Sequence, residues 1–173
     1  MTLPAPPRAK GRALDFEALY RAARDDVFAY VATLLRDHGA AEDVTAQAFE
    51  RAFRKSKSYD ARRGSERAWL FGIARNAALD ELRKRKRTAQ LDAEPEDTGP
   101  QPEEEADRAL RRFAVRAALV SLDARDRELI ALKFHAGLDN AELAAVLGVS
   151  VSNAGTRLHR ALTKLREILD DQS

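Results

Sequence analysis

Arg157, Arg160, Lys164 and Arg166 recur near the end of the chain, with no acidic residue among them and none following until Glu167. Cationic side chains spaced this way along a helix can pair with phosphate oxygens. Shorter polar groups lie ahead of or among them: Ser150, Ser152, Asn153, Thr156 and His159. Such groups read base edges when a helix enters the major groove by its N-terminus. The residues upstream supply the element that would aim this helix. Asp139 and Glu142 have the spacing of a capping box, and Leu138 and Leu143 that of a hydrophobic staple. Gly148 follows the last apolar residue of that short helix, where a left-handed turn carries no Cβ penalty. Ser150 then caps a second helix after a two-residue connection. A capped helix, a glycine turn and a basic helix form a helix-turn-helix. The competing reading is two core helices joined by a tight turn.

A second set of candidate groups lies between residues 58 and 87. The segment SYDARRGS (58–65) has loop composition and carries Arg62, Arg63 and Ser65, the last a cap for the helix that follows. That helix should run from Glu66 to about Arg87. Trp69, Leu70, Ile73, Ala74, Ala77 and Leu82 face inward; Arg67, Arg75, Asn76, Asp80, Arg83 and Lys84 are left outside. Its end, RKRKR (83–87), suits a helix C-terminus electrostatically. Because it continues a face already carrying Arg and Asn, it is read as contacting phosphates.

Other chemistries lack their residues. There is no Cys, so disulfides and thiolate metal sites are excluded. His38, His135 and His159 are widely separated and show no ligand spacing, and no Gly-rich phosphate loop or nucleophile elbow occurs. No catalytic residue, metal or cofactor is assigned. No signal-peptide core or membrane-length apolar run is found, so a cytoplasmic location is expected.

The net charge of +2 conceals a pattern. Residues 1–87 carry 19 basic and 12 acidic side chains, residues 88–107 eight acidic and no basic ones, and residues 108–173 eleven basic and eight acidic. Two basic blocks flank an acidic strip, as expected of two nucleic-acid-facing modules and a linker.

Apolar periodicity predicts an all-α chain. A first helix spans Asp15 to about Arg36, with Phe16, Leu19, Ala23, Val27, Tyr30, Val31, Leu34 and Leu35 on its stripe, and Gly39 is expected to break it. A second runs from Ala40 to about Lys57 with Val44, Ala48, Phe49, Ala52 and Phe53 inward. After the Pro-rich linker, a helix from about Glu103 to Ser121 turns Ala106, Leu110, Phe113, Ala117 and Val120 inward. Another, Ala124 to His135, places Leu129, Ile130, Leu132 and Phe134 against the helix-turn-helix. The expected division is a disordered basic tail (1–13), a helical module (14–87), a flexible acidic linker (88–105) and a helix-turn-helix module (106–173).

AAEDVTAQAFERAF (40–53), GSERAWLFGIARNAALDELRKRKR (64–87) and LDARDRELIALKFHAGLDNAELAAVLGVS with TRLHRALTKLR (122–166) resemble the bacterial extracytoplasmic-function (ECF) sigma factors of the sigma-70 family. The resemblance covers all but the tail and linker. It implies a sigma region 2 helical bundle and a sigma region 4 helix-turn-helix, in a promoter-specificity subunit of RNA polymerase without chemistry of its own. Core polymerase, through its beta and beta-prime subunits, and promoter DNA are the implied partners, with an anti-sigma factor as regulator. By motif position it assigns Asp43, Gln47 and Arg51 to core-polymerase binding. It assigns Arg62, Arg63, Ser65, Arg75, Asn76, Arg83 and Lys84 to the −10 element. Ser150, Ser152, Asn153, Thr156, Arg157, His159 and Arg160 fall to the −35 element. Two positions depart from the family pattern: Gln47, where Glu is usual, and Gly155, where Lys or Arg is common. Gly155 is read as outward, permitting close backbone approach to DNA.

The alternative function is a free-standing regulator that binds an operator as a dimer, which leaves 40–87 and the linker unexplained. Fully extended, the 18 linker residues reach about 60 Å, more than one DNA turn of about 34–36 Å. The charge pattern further predicts that the free chain closes its two basic modules over the acidic strip.

Overall fold

The computed structural model describes residues 13–88 and 106–171. The expectations for the tail and for 89–105 therefore lie outside the described residues. Seven α-helices and one short 3-10 turn (Ser56–Ser58) account for the architecture, and no strand occurs among the described residues.

The first module comprises α1 (Phe16–Leu35), α2 (His38–Arg54) and α3 (Glu66–Thr88), packed mutually. Val27, Tyr30 and Val31 of α1, Val44 and Ala48 of α2, and Leu70, Phe71 and Ala74 of α3 form its buried centre. Alanines at many facing positions let the helices approach closely. The break between α1 and α2 differs from expectation. Gly39 lies inside the first turn of α2; the chain turns at Arg36, which adopts a left-handed φ of 55°. Asp37 then caps α2 by accepting from the Ala40 N–H at 3.0 Å. The cap restarts the helix before Gly39 can stop it. Phe53 is also not inward: it is 62% exposed and leans edge-on against Phe16, 5.2 Å between ring centres.

The second module comprises α4 (Ala106–Ser121), α5 (Ala124–Phe134), α6 (Asn140–Leu147) and α7 (Val151–Asp171). Here α4 packs on α7 by a different face from the expected one: Ala118 is buried, whereas Leu110 and Phe113 are 67% and 71% exposed and Val120 is also exposed. In α5, Leu129, Ile130, Ala131 and Leu132 are all buried. Four consecutive buried positions require cover on more than one side, and α5 is indeed clasped by α7 and by α1 of the first module. Phe134, at the end of that helix, points to solvent instead of the helix-turn-helix.

Candidate nucleic-acid interface

The turn between α6 and α7 forms as the residues dictate. Asp139 accepts from the Glu142 N–H at 2.8 Å while Glu142 accepts from the Asp139 N–H at 3.0 Å, completing the capping box. Leu138 and Leu143 are buried beside it. Gly148 ends α6 at φ 67°, and the Ser150 hydroxyl accepts from the Asn153 N–H at 3.1 Å to start α7. The exposed positions at the start of α7 are Ser150, Ser152, Asn153, Thr156, His159 and Arg160. Ala154, Leu158 and Ala161 anchor the opposite face. Six of the seven residues expected on this surface are thus presented together.

Arg157 is the exception. It is half-buried and lines a cleft of about 350 Å³ between the modules with Arg75, Arg125, Asp126 and Glu128. Gly155 does not face outward either: a Cβ there would meet Asn140 Nδ2 of α6 at 3.5 Å, an ordinary contact. Lys164 is also engaged, pairing with Asp126 and lying 3.8 Å from Asp123 at the start of α5. Arg166 stays exposed.

On α2, Asp43 and Gln47 are exposed with no side-chain partner among the described residues, and Arg51 lies one turn further on the same stripe. Arg51 reaches Asp80 of α3 at 3.2 Å, and Asp80 also accepts from Arg83 at 3.2 Å. This stripe is continuous and faces away from the core.

The loop ahead of α3 is exposed but organised. Asp60 accepts from the Arg62 backbone N–H at 3.0 Å and from its guanidinium at 3.0 and 2.9 Å. These bonds hold the Asp60 carboxyl below the usual carboxylate range. Tyr59 donates to the Gly64 carbonyl at 3.0 Å and stacks edge-on against Trp69, which is partly buried against the core as its register required. The Arg63 N–H donates to the Asp60 carbonyl at 3.0 Å, and Arg63 is exposed. Ser65 caps α3 by accepting from the Ala68 N–H at 3.1 Å.

Along α3, Asn76, Arg83 and Lys84 are exposed, but two arginines expected outside are turned inward. Arg75 donates to Glu128, and Arg67 donates to Asp26 and to the carbonyls of His135 and Ala136. The basic run divides likewise. Arg85 donates to the Leu35 carbonyl and to Asp37, both at 3.1 Å, and so closes the end of α1. Lys84, Lys86 and Arg87 remain exposed.

Sequence reasoning missed Glu128, Tyr30 and the second role of Glu142. Glu128 is buried where α5 crosses the first module, and its Oε1 accepts from the Tyr30 hydroxyl at 3.3 Å. Burial, reinforced by the Glu128 charge, pushes the Tyr30 phenol well above its ordinary value, so it stays a donor. Glu142 Oε1 accepts from the Ser65 hydroxyl, which joins the N-terminal caps of α3 and α6 across the module boundary. A charged residue beside the apolar run LIAL was the available signal for such a sandwiched helix.

A three-helix bundle with an exposed basic loop, followed by a helix-turn-helix on the same chain, defines a two-module DNA-binding protein. Residues 19–88 match the family described as Sigma-70 region 2, and residues 112–165 that described as Sigma-70, region 4. The ECF RNA polymerase sigma factor SigL of Mycobacterium tuberculosis is 31% identical over 173 residues, covering 95% of this chain and 96% of that one. SigC of the same species is 35% identical over 162 residues, covering 88% and 82%. Among solved structures, the sigma factor RpoE in complex with the anti-sigma factor NepR from Bartonella quintana matches with a TM-score of 0.77 and 28% identity, covering 90% of this chain and 97% of that one. CnrH in complex with the cytosolic domain of CnrY matches at 0.68 and 28%, covering 91% and 89%. The chain belongs to the extracytoplasmic-function sigma factors of the sigma-70 family.

Proposed function

We propose that this sigma factor gives core RNA polymerase its promoter specificity through three separate surfaces. The Asp43–Gln47–Arg51 stripe of α2 binds the core enzyme. The 59–65 loop, with Arg62, Arg63 and Ser65, captures a base of the −10 element, while Arg75, Asn76, Arg83 and Lys84 track its backbone. Ser150, Ser152, Asn153, Thr156, Arg157, His159 and Arg160 read the −35 element. Strand opening without fuel needs a site that binds an unstacked base well enough to offset the lost pairing. A polar loop beside a basic helix face suits that task. Bond-making chemistry is left to the polymerase, and the protein acts in the cytoplasm; no helix among the described residues is long and apolar enough to cross a membrane.

The observation that carries this reading is the exposed polar row Ser152, Asn153, Thr156, His159 and Arg160 at the capped start of α7, on the same chain as the α2–α3 surfaces. The domain boundaries we assign are 14–87 and 106–173, with 88–105 between them; Thr88 is still helical. The dimeric-operator reading leaves the α2 stripe without a task. An anti-sigma partner is proposed because the solved relative RpoE was captured with the anti-sigma factor NepR.

Run-off transcription with core polymerase and a promoter library tests the whole assignment. Arg157→Ala with Arg160→Ala should weaken upstream-element binding and reduce its salt slope by about one unit per lost phosphate contact. Arg62→Ala with Asn76→Ala should leave that binding intact and abolish permanganate reactivity of promoter thymines. Identical defects from the two pairs would refute the division of labour.

A further inference from the structure

Tyr59 and Asp60 begin the loop that leads into α3, and no surface described so far gives either of them a task. Both are half-buried, whereas residues 61–65 are all exposed. The Asp60 carboxylate closes an Asx turn, with Oδ1 accepting from the Arg62 backbone N–H at 3.0 Å. Its carbonyl accepts from the Arg63 N–H at 3.0 Å, so the turn over 60–63 is bonded twice to the same residue. The Arg62 guanidinium then folds back onto the carboxylate, Nε and Nη2 donating at 3.0 and 2.9 Å. The far end of the loop is tied by Tyr59. Its hydroxyl donates to the Gly64 carbonyl at 3.0 Å, and its ring lies edge-on against Trp69, 5.5 Å between centres. Desolvation, with the Glu66 and Asp60 charges, raises the Tyr59 phenol above its ordinary value, so it stays a donor. The Arg63 side chain, by contrast, has no partner among the described residues.

We propose that Tyr59 and Asp60 are positioning residues for base capture, holding the 60–64 loop in the shape that receives an unstacked −10 base. Arg62 is the outer half of their clamp, and Arg63 is the cation left to the DNA. This rests on the assignment of the 59–65 loop to the −10 element, and it gives Arg62 its part in capture through Asp60. The hydrogen bonds all lie within residues 59–64 and join no two helices. The Arg62 side chain is 84% exposed, and an ion pair so exposed does little for overall stability. What these bonds fix is the shape of the loop. A loop already in its binding shape loses less conformational freedom when the ligand arrives. Charge points the same way. A bare carboxylate beside a nucleic-acid strand repels it, whereas Asp60 faces the guanidinium of Arg62.

The test uses holoenzyme on a promoter taken from the run-off selection, with each of the four bases placed in turn at the −10 position that most affects opening. Permanganate reactivity of a downstream thymine reads the open complex, and base preference is the ratio of the best base to the worst. Every ratio is read at equal occupancy of the upstream element, so a folding defect does not enter it. Asp60→Ala should lower the ratio about five-fold, although removing a negative charge near DNA should by itself strengthen binding. Asp60→Asn keeps an acceptor for the Arg62 N–H and should hold the ratio within about two-fold. Tyr59→Phe keeps the ring, loses the hydroxyl and should lower the ratio about three-fold. Arg62→Ala should match Asp60→Ala, and the double variant should be no worse than either, since the two act as one unit. A merely structural lesion would lower opening for all four bases alike. Multiplying effects in the double variant, equal losses in Asp60→Ala and Asp60→Asn, or an unchanged ratio in Asp60→Ala or Tyr59→Phe would each overturn the positioning role. Arg63→Ala checks the loop assignment apart from it. Lost opening there, with an unchanged ratio in Asp60→Ala, keeps the loop as the −10 site and removes only the positioning role. Full opening in Arg63→Ala removes both.

Discussion

At the scale of single residues, partners decide which cations are available for DNA. Lys84 and Arg85 are neighbours in a run of five positive charges, yet Lys84 is exposed while Arg85 holds the Leu35 carbonyl, Asp37 and Glu81. Lys84→Ala should therefore lower the salt slope of DNA binding by about one unit without changing stability. Arg85→Ala should cost about 1–3 kcal/mol in denaturant unfolding, since it strands charge-assisted hydrogen-bond partners. Gly155 offers a second contrast. Its Cβ direction leads to an ordinary contact with Asn140, so Gly155→Ala should gain up to about 1 kcal/mol from helix propensity and leave upstream-element affinity unchanged. A lost affinity in that variant would return the position to the DNA face.

At the scale of elements, caps and faces carry the stability of the second module. Asp139 satisfies the N-terminus of an eight-residue helix, too short to persist unaided. Asp139→Ala should cost about 1 kcal/mol, read as a lower unfolding midpoint. The exposure of the α4 stripe makes an opposite prediction for its largest residue. Phe113→Ser should alter stability by no more than about 0.5 kcal/mol, whereas Leu132→Ala in the doubly covered α5 should cost about 2–5 kcal/mol. Equal losses would mean that Phe113 is packed after all.

For the whole molecule, the packing of α5 and His135 against α1 introduces a dependence on pH. Burial holds the His135 imidazole below its ordinary value of 6.5, with the Asp26 carboxylate pulling in the opposite direction. The neutral ring is thus favoured in the folded chain. Its contribution is intact above 6.5 and is lost as pH falls from there through the lowered folded value. Unfolding midpoints should drop over that interval, and His135→Gln should flatten the drop. A slope unchanged by His135→Gln would assign the acid sensitivity to other groups.

The sequence by itself determined the local structure. The capping box, the Gly148 turn and the Ser150 cap are satisfied within a few residues of one another, so their chemistry is readable without knowing what lies beyond. The same holds for the α2 stripe and the Ser65 cap, and for the region 2 and region 4 resemblance that the family matches bear out. Only tertiary structure decided which outward-facing side chains are free. Arg75 and Asn76 are adjacent on α3 and both polar, but Glu128 of α5 reaches Arg75 while Asn76 stays exposed. Periodicity assigns a residue to a face of its own helix and says nothing of a second layer covering that face. Leu110 and Phe113 fail for the converse reason: α4 has an apolar stripe, but packing on α7 uses Ala118, where a small side chain allows close approach. Glu128 joins both cases, since a carboxylate on a buried helix is stable only because Arg75 and Tyr30 come to it from another part of the chain.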